Sequence, residues 1–371
     1  MSLEDKDVQP RTGISRRGFV QGLSAGLAGV SLFASSPLLH CAPEAVGGMV
    51  YRRLGRTDFK VSEIGMGGHF DGPNWKTKNS KDQSRRDAVL RECIKHGVNY
   101  LDTNADYERT ALGISLAQVP EIRDKVFVVA DINDKEGSAD DIYNFLVTSM
   151  DEQLRMLQVS CADVMRFTTV VRKTSPEKCE AAIRAFKLFK KQGKARFLAF
   201  SQHDPDLLLE WVNRYDEIDI IYVPYNYFAS KAEQELFPAA KKKDLGIIVI
   251  KPFNKGTIFD PRLAELIRGG GARSVLERAE KEKQSRSPED LTRGTNLTLA
   301  QASLRFILSR PEVSTVIPGM ETVEEVSENL KVAGTGKQFG MTENQVLERY
   351  AAHFEKALPE SYRWLGNWKH A

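Results

Sequence analysis

The sequence predicts an α/β protein, a (β/α)8 TIM barrel with an N-terminal hairpin and a C-terminal helical tail. Three observations lead there. From Tyr51 onward, short apolar runs alternate with segments of helical period. Eight such strand-then-helix units fit into about 280 residues, the size of one closed parallel barrel. The seventh candidate strand, Gly246–Lys251, is a continuous apolar run, as suits a strand buried on both faces.

Taken in order, Arg52–Lys60 reads as a hairpin plugging the barrel floor, with Gly55-Arg56 near its turn. The first four barrel strands are expected at Val61–Gly67, Asn99–Thr103, Val126–Asp131 and Asp163–Thr168. The last four are expected at Ala195–Ser201, Ile218–Tyr225, Gly246–Lys251 and Ser314–Pro318. Helical periodicity marks Arg85–His96, stopped by Gly97, then Ala139–Leu157, Pro176–Gln192, Pro205–Tyr215 and Lys231–Lys243. A long insertion, Phe259–Asn296, follows the seventh strand and reads either as a border of the active site or as a solvated excursion. A tail helix is expected at Thr342–Lys356, capped by Thr342, before an aromatic end with Tyr362, Trp364 and Trp368. An open doubly wound sheet is the alternative. It would bring a Gly-x-Gly-x-x-Gly turn after its first strand, but Phe70 stands where the third glycine belongs. The chain divides into 1–48, an address segment and linker, 49–335, the barrel, and 336–371, the tail.

Composition narrows the function. The formal charge is +3, from 53 basic and 50 acidic side chains, which calls for neither nucleic acid nor an anionic membrane. The four cysteines, Cys41, Cys93, Cys161 and Cys179, show no Cys-x-x-Cys spacing, so zinc ribbons and iron–sulfur clusters are not expected. Cys93 and Cys179 fall on helical patterns and read as buried thiols, with a disulfide as the alternative in an oxidising compartment.

The N-terminus reads as an address. Ser15-Arg16-Arg17-Gly18-Phe19-Val20 is a twin-arginine pair followed by a weakly apolar stretch to Leu39. The expectation is export to the periplasm of a folded protein, with the twin-arginine translocon as partner. A membrane-anchoring helix is the alternative, against which Gly22, Gly26, Gly29 and Pro37 argue. Leu38-Leu39-His40-Cys41 faintly resembles a lipoprotein box, and membrane attachment is expected only if Cys41 carries lipid.

Several segments over roughly Tyr51–Leu330 together resemble the aldo-keto reductases. These are Leu54-Gly55-Arg56-Thr57 with Val61–Gly67, the run Gly97–Tyr107 with its Asp-Thr-x-x-x-Tyr core, Gly193–Ser201, Ile250-Lys251-Pro252-Phe253, and Ile317-Pro318-Gly319-Met320 with Glu328-Asn329 beyond. The resemblance implies hydride transfer between a nicotinamide dinucleotide, NAD or NADP, and a small carbonyl or alcohol substrate. It implies a tetrad in which a Tyr donates the proton, a Lys paired with an Asp lowers that Tyr's pKa, and a His orients the carbonyl. Carried onto this chain, Asp102 and Tyr107 match. Asp131 stands where the Lys is expected, and Thr168 where the His is expected. A carboxylate in place of a cation raises a phenol's pKa and crowds Asp102. Arg166, two residues before Thr168, should point inward by strand alternation and neutralise Asp131 or Asp102. That charge swap would keep a cation near Tyr107; the alternative is charge balance with no part in catalysis.

For the cofactor, the resemblance implies Ser201 and Gln202 at the nicotinamide amide, Tyr222 where a Gln is common, Lys251 on the rim, and Glu328 with Asn329 at the adenine. Glu325 replaces the Arg that many members offer the 2′-phosphate, which favours NAD over NADP. His69 and His203 border the expected mouth and read as pocket wall before they read as a histidine substitute, and Lys135, in a loop, is discounted as the missing lysine. Two classes of function follow. One is an oxidoreductase with a rearranged tetrad, preferred because fold and partial site agree. The other is an exported non-redox barrel that binds a small ligand, or a metal, at the acidic mouth of Asp102 and Asp131. No metal site is assigned, because carboxylates so placed more often pair with Arg.

Overall fold

The computed structural model describes residues 48–68, 80–169, 174–256, 258–259, 296–336, 339–357, 360–366 and 368. The twin-arginine segment, Cys41, His69 and most of the Phe259–Asn296 insertion lie outside them. Among the described residues, no helix is long and apolar enough to cross a membrane.

The chain opens with a short antiparallel hairpin, β1 (Tyr51–Arg53) and β2 (Lys60–Ser62), in the register Arg52↔Val61. The barrel strands follow as β3 (Tyr100–Leu101), β4 (Phe127–Asn133), β5 (Ala162–Thr169), β6 (Ala195–Gln202), β7 (Ile220–Pro224), β8 (Gly246–Ile250) and β9 (Thr315–Val316). They form one parallel sheet of seven strands in sequence order. The expected first strand, Val61–Gly67, is divided between two tasks. Its first residues pair in the hairpin, and its last ones close the barrel. Gly65 N–H donates to Val316 O at 2.9 Å on one side, and Met66 N–H to Tyr100 O at 2.8 Å on the other. Gly67 is required by this closure, since a Cβ there would fall 2.5 Å from Pro318 O. The expected hairpin plug is present, with Leu54 and Val61 fully buried in the inner apolar cluster.

Helices cover the outside: α1 (Ser80–Lys95), α2 (Asp106–Ala117), α3 (Ala139–Leu157), α4 (Pro176–Lys191), α5 (Pro205–Arg214), α6 (Leu236–Lys242), α7 (Leu299–Leu308), α8 (Val323–Leu330) and α9 (Met341–Ala357). Their starts have local causes. Ser138 caps α3 by accepting Asp141 N–H while Asp141 reaches back to Ser138 N–H. Pro176 and Pro205 open α4 and α5, where a missing N–H costs nothing. Two expectations are corrected. The helix expected over Lys231–Lys243 is a 3-10 turn, Lys231–Glu233, followed by α6. Pro238 explains the break: its ring cannot follow a helical turn reaching back to Gln234. The tail helix starts at Met341, so Thr342 lies inside it. The Glu343 carboxylate takes Gly340 N–H instead. The helix α2 was not read from the sequence as a helix at all. Among the described cysteines, Cys93 and Cys179 are buried free thiols, and Cys161 is free as well. Burial pushes the Cys93 and Cys179 thiols up to about 12, so both stay protonated.

Side chains alternate between the inside and outside of each strand. The inward line of β4 is Phe127, Val129 and Asp131; that of β5 is Val164, Arg166 and Thr168; that of β6 is Phe197, Ala199 and Ser201. Each line changes from apolar to polar as the strand runs toward its C-terminal end. The barrel therefore has an apolar floor and a polar mouth.

Candidate active site

At the mouth, Arg166 is buried and turns into the barrel. Asp131 is its register partner on β4, and small Ala199 is its partner on β6. Arg166 Nε donates to Asp131 Oδ1 at 2.8 Å, Nη1 to Asp102 Oδ1 at 2.6 Å, and Nη2 to Thr103 O at 2.8 Å. Thr168 Oγ1 donates to the same Asp131 Oδ1 at 2.5 Å. On the other side, Arg109 of α2 holds Nη1 4.0 Å from Asp131 Oδ2. Beneath the guanidinium lies the Tyr222 ring, 4.7 Å from Arg166 Cζ, and the Tyr222 hydroxyl is bonded to that of Tyr100. The structure thus brings Asp102, Asp131, Arg166 and Thr168 into one hydrogen-bonded group.

The electrostatics follow from burial and pairing. Burial raises Asp102 to about 6, with Asp131 and Glu108 pushing the same way and Arg166 opposing. Arg166 is buried, which disfavours its charge, but Asp102 and Asp131 hold it well above the ordinary arginine value. Burial also raises the phenols of Tyr100 and Tyr222, so both remain neutral hydrogen-bonding groups.

Tyr107 stands apart from that group in its bonding. It lies in the first turn of α2, and its hydroxyl donates to Glu108 Oε1 at 3.1 Å. Glu108 and Arg86, both buried beside Tyr107, escaped the sequence reading. A signal for Arg86 was available. It shares the inward face of α1 with Val89, Leu90 and Cys93, at the spacing i, i+3, i+4, i+7.

The remaining candidates are placed as follows. Ser201 stands at the mouth next to Thr168 and Tyr222 in register. The Gln202 amide donates to Thr169 Oγ1 at 2.7 Å and accepts His203 N–H at 2.6 Å and Asp204 N–H at 3.1 Å. Tyr222 is fully buried and forms the floor under Arg166. Lys251 follows β8 in the left-handed region, at φ 56°, with its carbonyl held by Asn226 Nδ2 at 3.0 Å. Asn329 is buried and Glu328 half-buried in the last turn of α8. His203 packs edge-on against Trp368 at 5.0 Å. Lys135 lies over the Phe145 ring at 4.2 Å, in the helix layer. Among the described residues, no group of three or more His, Cys, Asp or Glu side chains could hold a metal.

These residues fit a nicotinamide dinucleotide in part. Ser201 and Lys251 stand at strand ends and Glu328 and Asn329 in α8, whereas Gln202 and Tyr222 have their polar groups engaged within the protein. At α8, Glu325 Oε2 accepts Glu321 N–H at 2.6 Å and Thr322 N–H at 3.3 Å. That carboxylate satisfies two backbone N–H groups at the start of α8.

A closed parallel barrel whose polar side chains gather at the C-terminal strand ends has the architecture of a barrel enzyme. The comparisons give the family: the chain matches the Aldo/keto reductase family over residues 63–342 and belongs to it. It is 25% identical to L-galactose dehydrogenase of Arabidopsis thaliana over 309 residues, 80% of this chain and 92% of that protein. It is 24% identical to the NADH-specific methylglyoxal reductase of Escherichia coli over 306 residues, 75% of this chain and 91% of that one. The holo structure of aldo-keto reductase AKR11C1 from Bacillus halodurans shares its fold, with a TM-score of 0.60, 21% identity, and coverage of 85% of this chain and 99% of that one.

Proposed function

We propose that this protein is a nicotinamide-dependent oxidoreductase that interconverts a carbonyl and an alcohol on a small substrate, using NAD in preference to NADP. The observation that carries the reading is the grip of Arg166 on both Asp102 and Asp131. It brings a cation into a mouth that lacks the family's lysine, shared between Asp102 and the carboxylate standing in that lysine's place. The dinucleotide supplies the hydride acceptor or donor. Ser201 and Lys251 at the strand ends, with Glu328 and Asn329 on α8, would hold it. Tyr107 moves the proton. Thr168, where a histidine is expected, holds Asp131 rather than the substrate carbonyl. The reading includes export through the twin-arginine pathway with the dinucleotide loaded before translocation, which the Arg16-Arg17 pair and its weakly apolar follower support.

The test is a fluorescence titration of the full chain with NAD and with NADP. Saturable binding with NAD tighter than NADP is the expected result. Binding of neither, at millimolar concentration, would move the function to a non-redox ligand at the same mouth.

A further inference from the structure

Glu108 is a fully buried carboxylate. Its Oε2 accepts the backbone N–H of Asn104 at 2.6 Å and of Ala105 at 3.3 Å, and its Oε1 accepts the Tyr107 hydroxyl at 3.1 Å. Gly68 lets it lie there, since a Cβ at that position would fall 2.2 Å from Oε2. Arg86 of α1 supplies the buried cation of this corner. It donates to Met320 O at 3.2 Å, and Cys93, Glu108, Glu321 and Tyr107 all act on its charge.

Capping alone does not require this burial. In α8, Glu325 reaches back to the same two kinds of backbone N–H from a fully exposed position. Burying the Glu108 charge costs folding free energy that an exposed cap does not. What distinguishes Glu108 is its bond to the phenol and the cation beside both.

We propose that Glu108 is the proton acceptor behind Tyr107, so that the two form a relay serving alcohol oxidation. The relay rests on the oxidoreductase reading above. The substrate O–H proton passes to Tyr107 Oη as the phenol's own proton passes to Glu108 Oε1. A bound nicotinamide would take the hydride, the electron pair of the carbinol C–H bond, as the C=O bond forms. Reduction runs the same path backward. The relay runs through helices α1 and α2, whereas Arg166 organises the strands.

The experiment is carbon-13 NMR of the full chain labelled at tyrosine Cζ, with Tyr107 assigned by the loss of its signal in Tyr107→Phe. In Glu108→Gln the Tyr107 phenol should titrate lower by about one pH unit or more, because a neutral amide replaces a carboxylate acceptor. Gln keeps an oxygen for the two backbone N–H groups, so the cap of α2 persists. Arg86→Gln should shift the midpoint in the opposite direction. An unchanged midpoint in both variants overturns the relay. NAD titration of the same samples separates the two claims. A shifted phenol with wild-type NAD binding in Glu108→Gln supports the relay. A wild-type chain that binds no dinucleotide overturns the redox step, together with the reading it rests on, while leaving the Tyr107–Glu108 coupling measured.

Discussion

The floor and the mouth of this barrel share the same strands but are held together differently. The floor is filled by Leu54, Val61, Phe127, Val164 and Ile220, all fully buried and apolar. It needs shape and volume and is indifferent to pH. The mouth, a few residues further along the same inward lines, replaces carbon with Asp131, Arg166 and Thr168. There each charge is tolerable only because a partner is in place. The difference teaches how a charge is accommodated inside this fold. Asp131 can be buried at the mouth because Arg166 enters from the next strand.

The largest expected effect comes from breaking the mouth. Arg166→Met leaves Asp102 and Asp131 buried without their shared cation and should cost about 3–5 kcal/mol in urea unfolding at neutral pH. Part of that loss should return toward about pH 6 and below, as Asp102 takes up a proton. A loss of the same size at every pH would break the comparison. Next is the floor. Leu54→Ala opens a cavity under the barrel and should cost about 2–4 kcal/mol, equally at every pH and with NAD binding unchanged.

A smaller effect sharpens the mouth. Asp102 is held at about 6 in the folded chain, above its unfolded value. The folded state therefore binds that proton more tightly. The stabilisation from this group is complete below about pH 4 and is lost as pH rises through about 6. Asp102→Asn should flatten the stability profile over that window, measured by urea unfolding at half-unit pH steps. The smallest effect is at the rim. Glu325→Arg should tighten NADP binding by about tenfold, or about 1.4 kcal/mol, with little change for NAD.

Much of the barrel was legible because buried parallel strands announce themselves. Gly246–Ile250 is an unbroken apolar run, and the start of α3 is written in Ser138 and Asp141. The inward pose of Arg166 followed from period-two alternation alone. What could not be read has physical reasons. Pro238 sits within the helical period that it interrupts at Gln234. The start of α2 hides because its cap comes from Glu108, three residues inside, while Ala105 at the cap position has no oxygen to signal it. Buried arginines such as Arg86 and Arg109 look like surface charges until packing shows which face they occupy.

The most direct test of the nicotinamide assignment is the native mass and near-ultraviolet absorbance of the full-length protein purified without added dinucleotide. A mass increment equal to one NAD or NADH per chain, with NADP absent, is the result expected. A chain that carries no dinucleotide and takes up none when NAD is added would contradict the assignment.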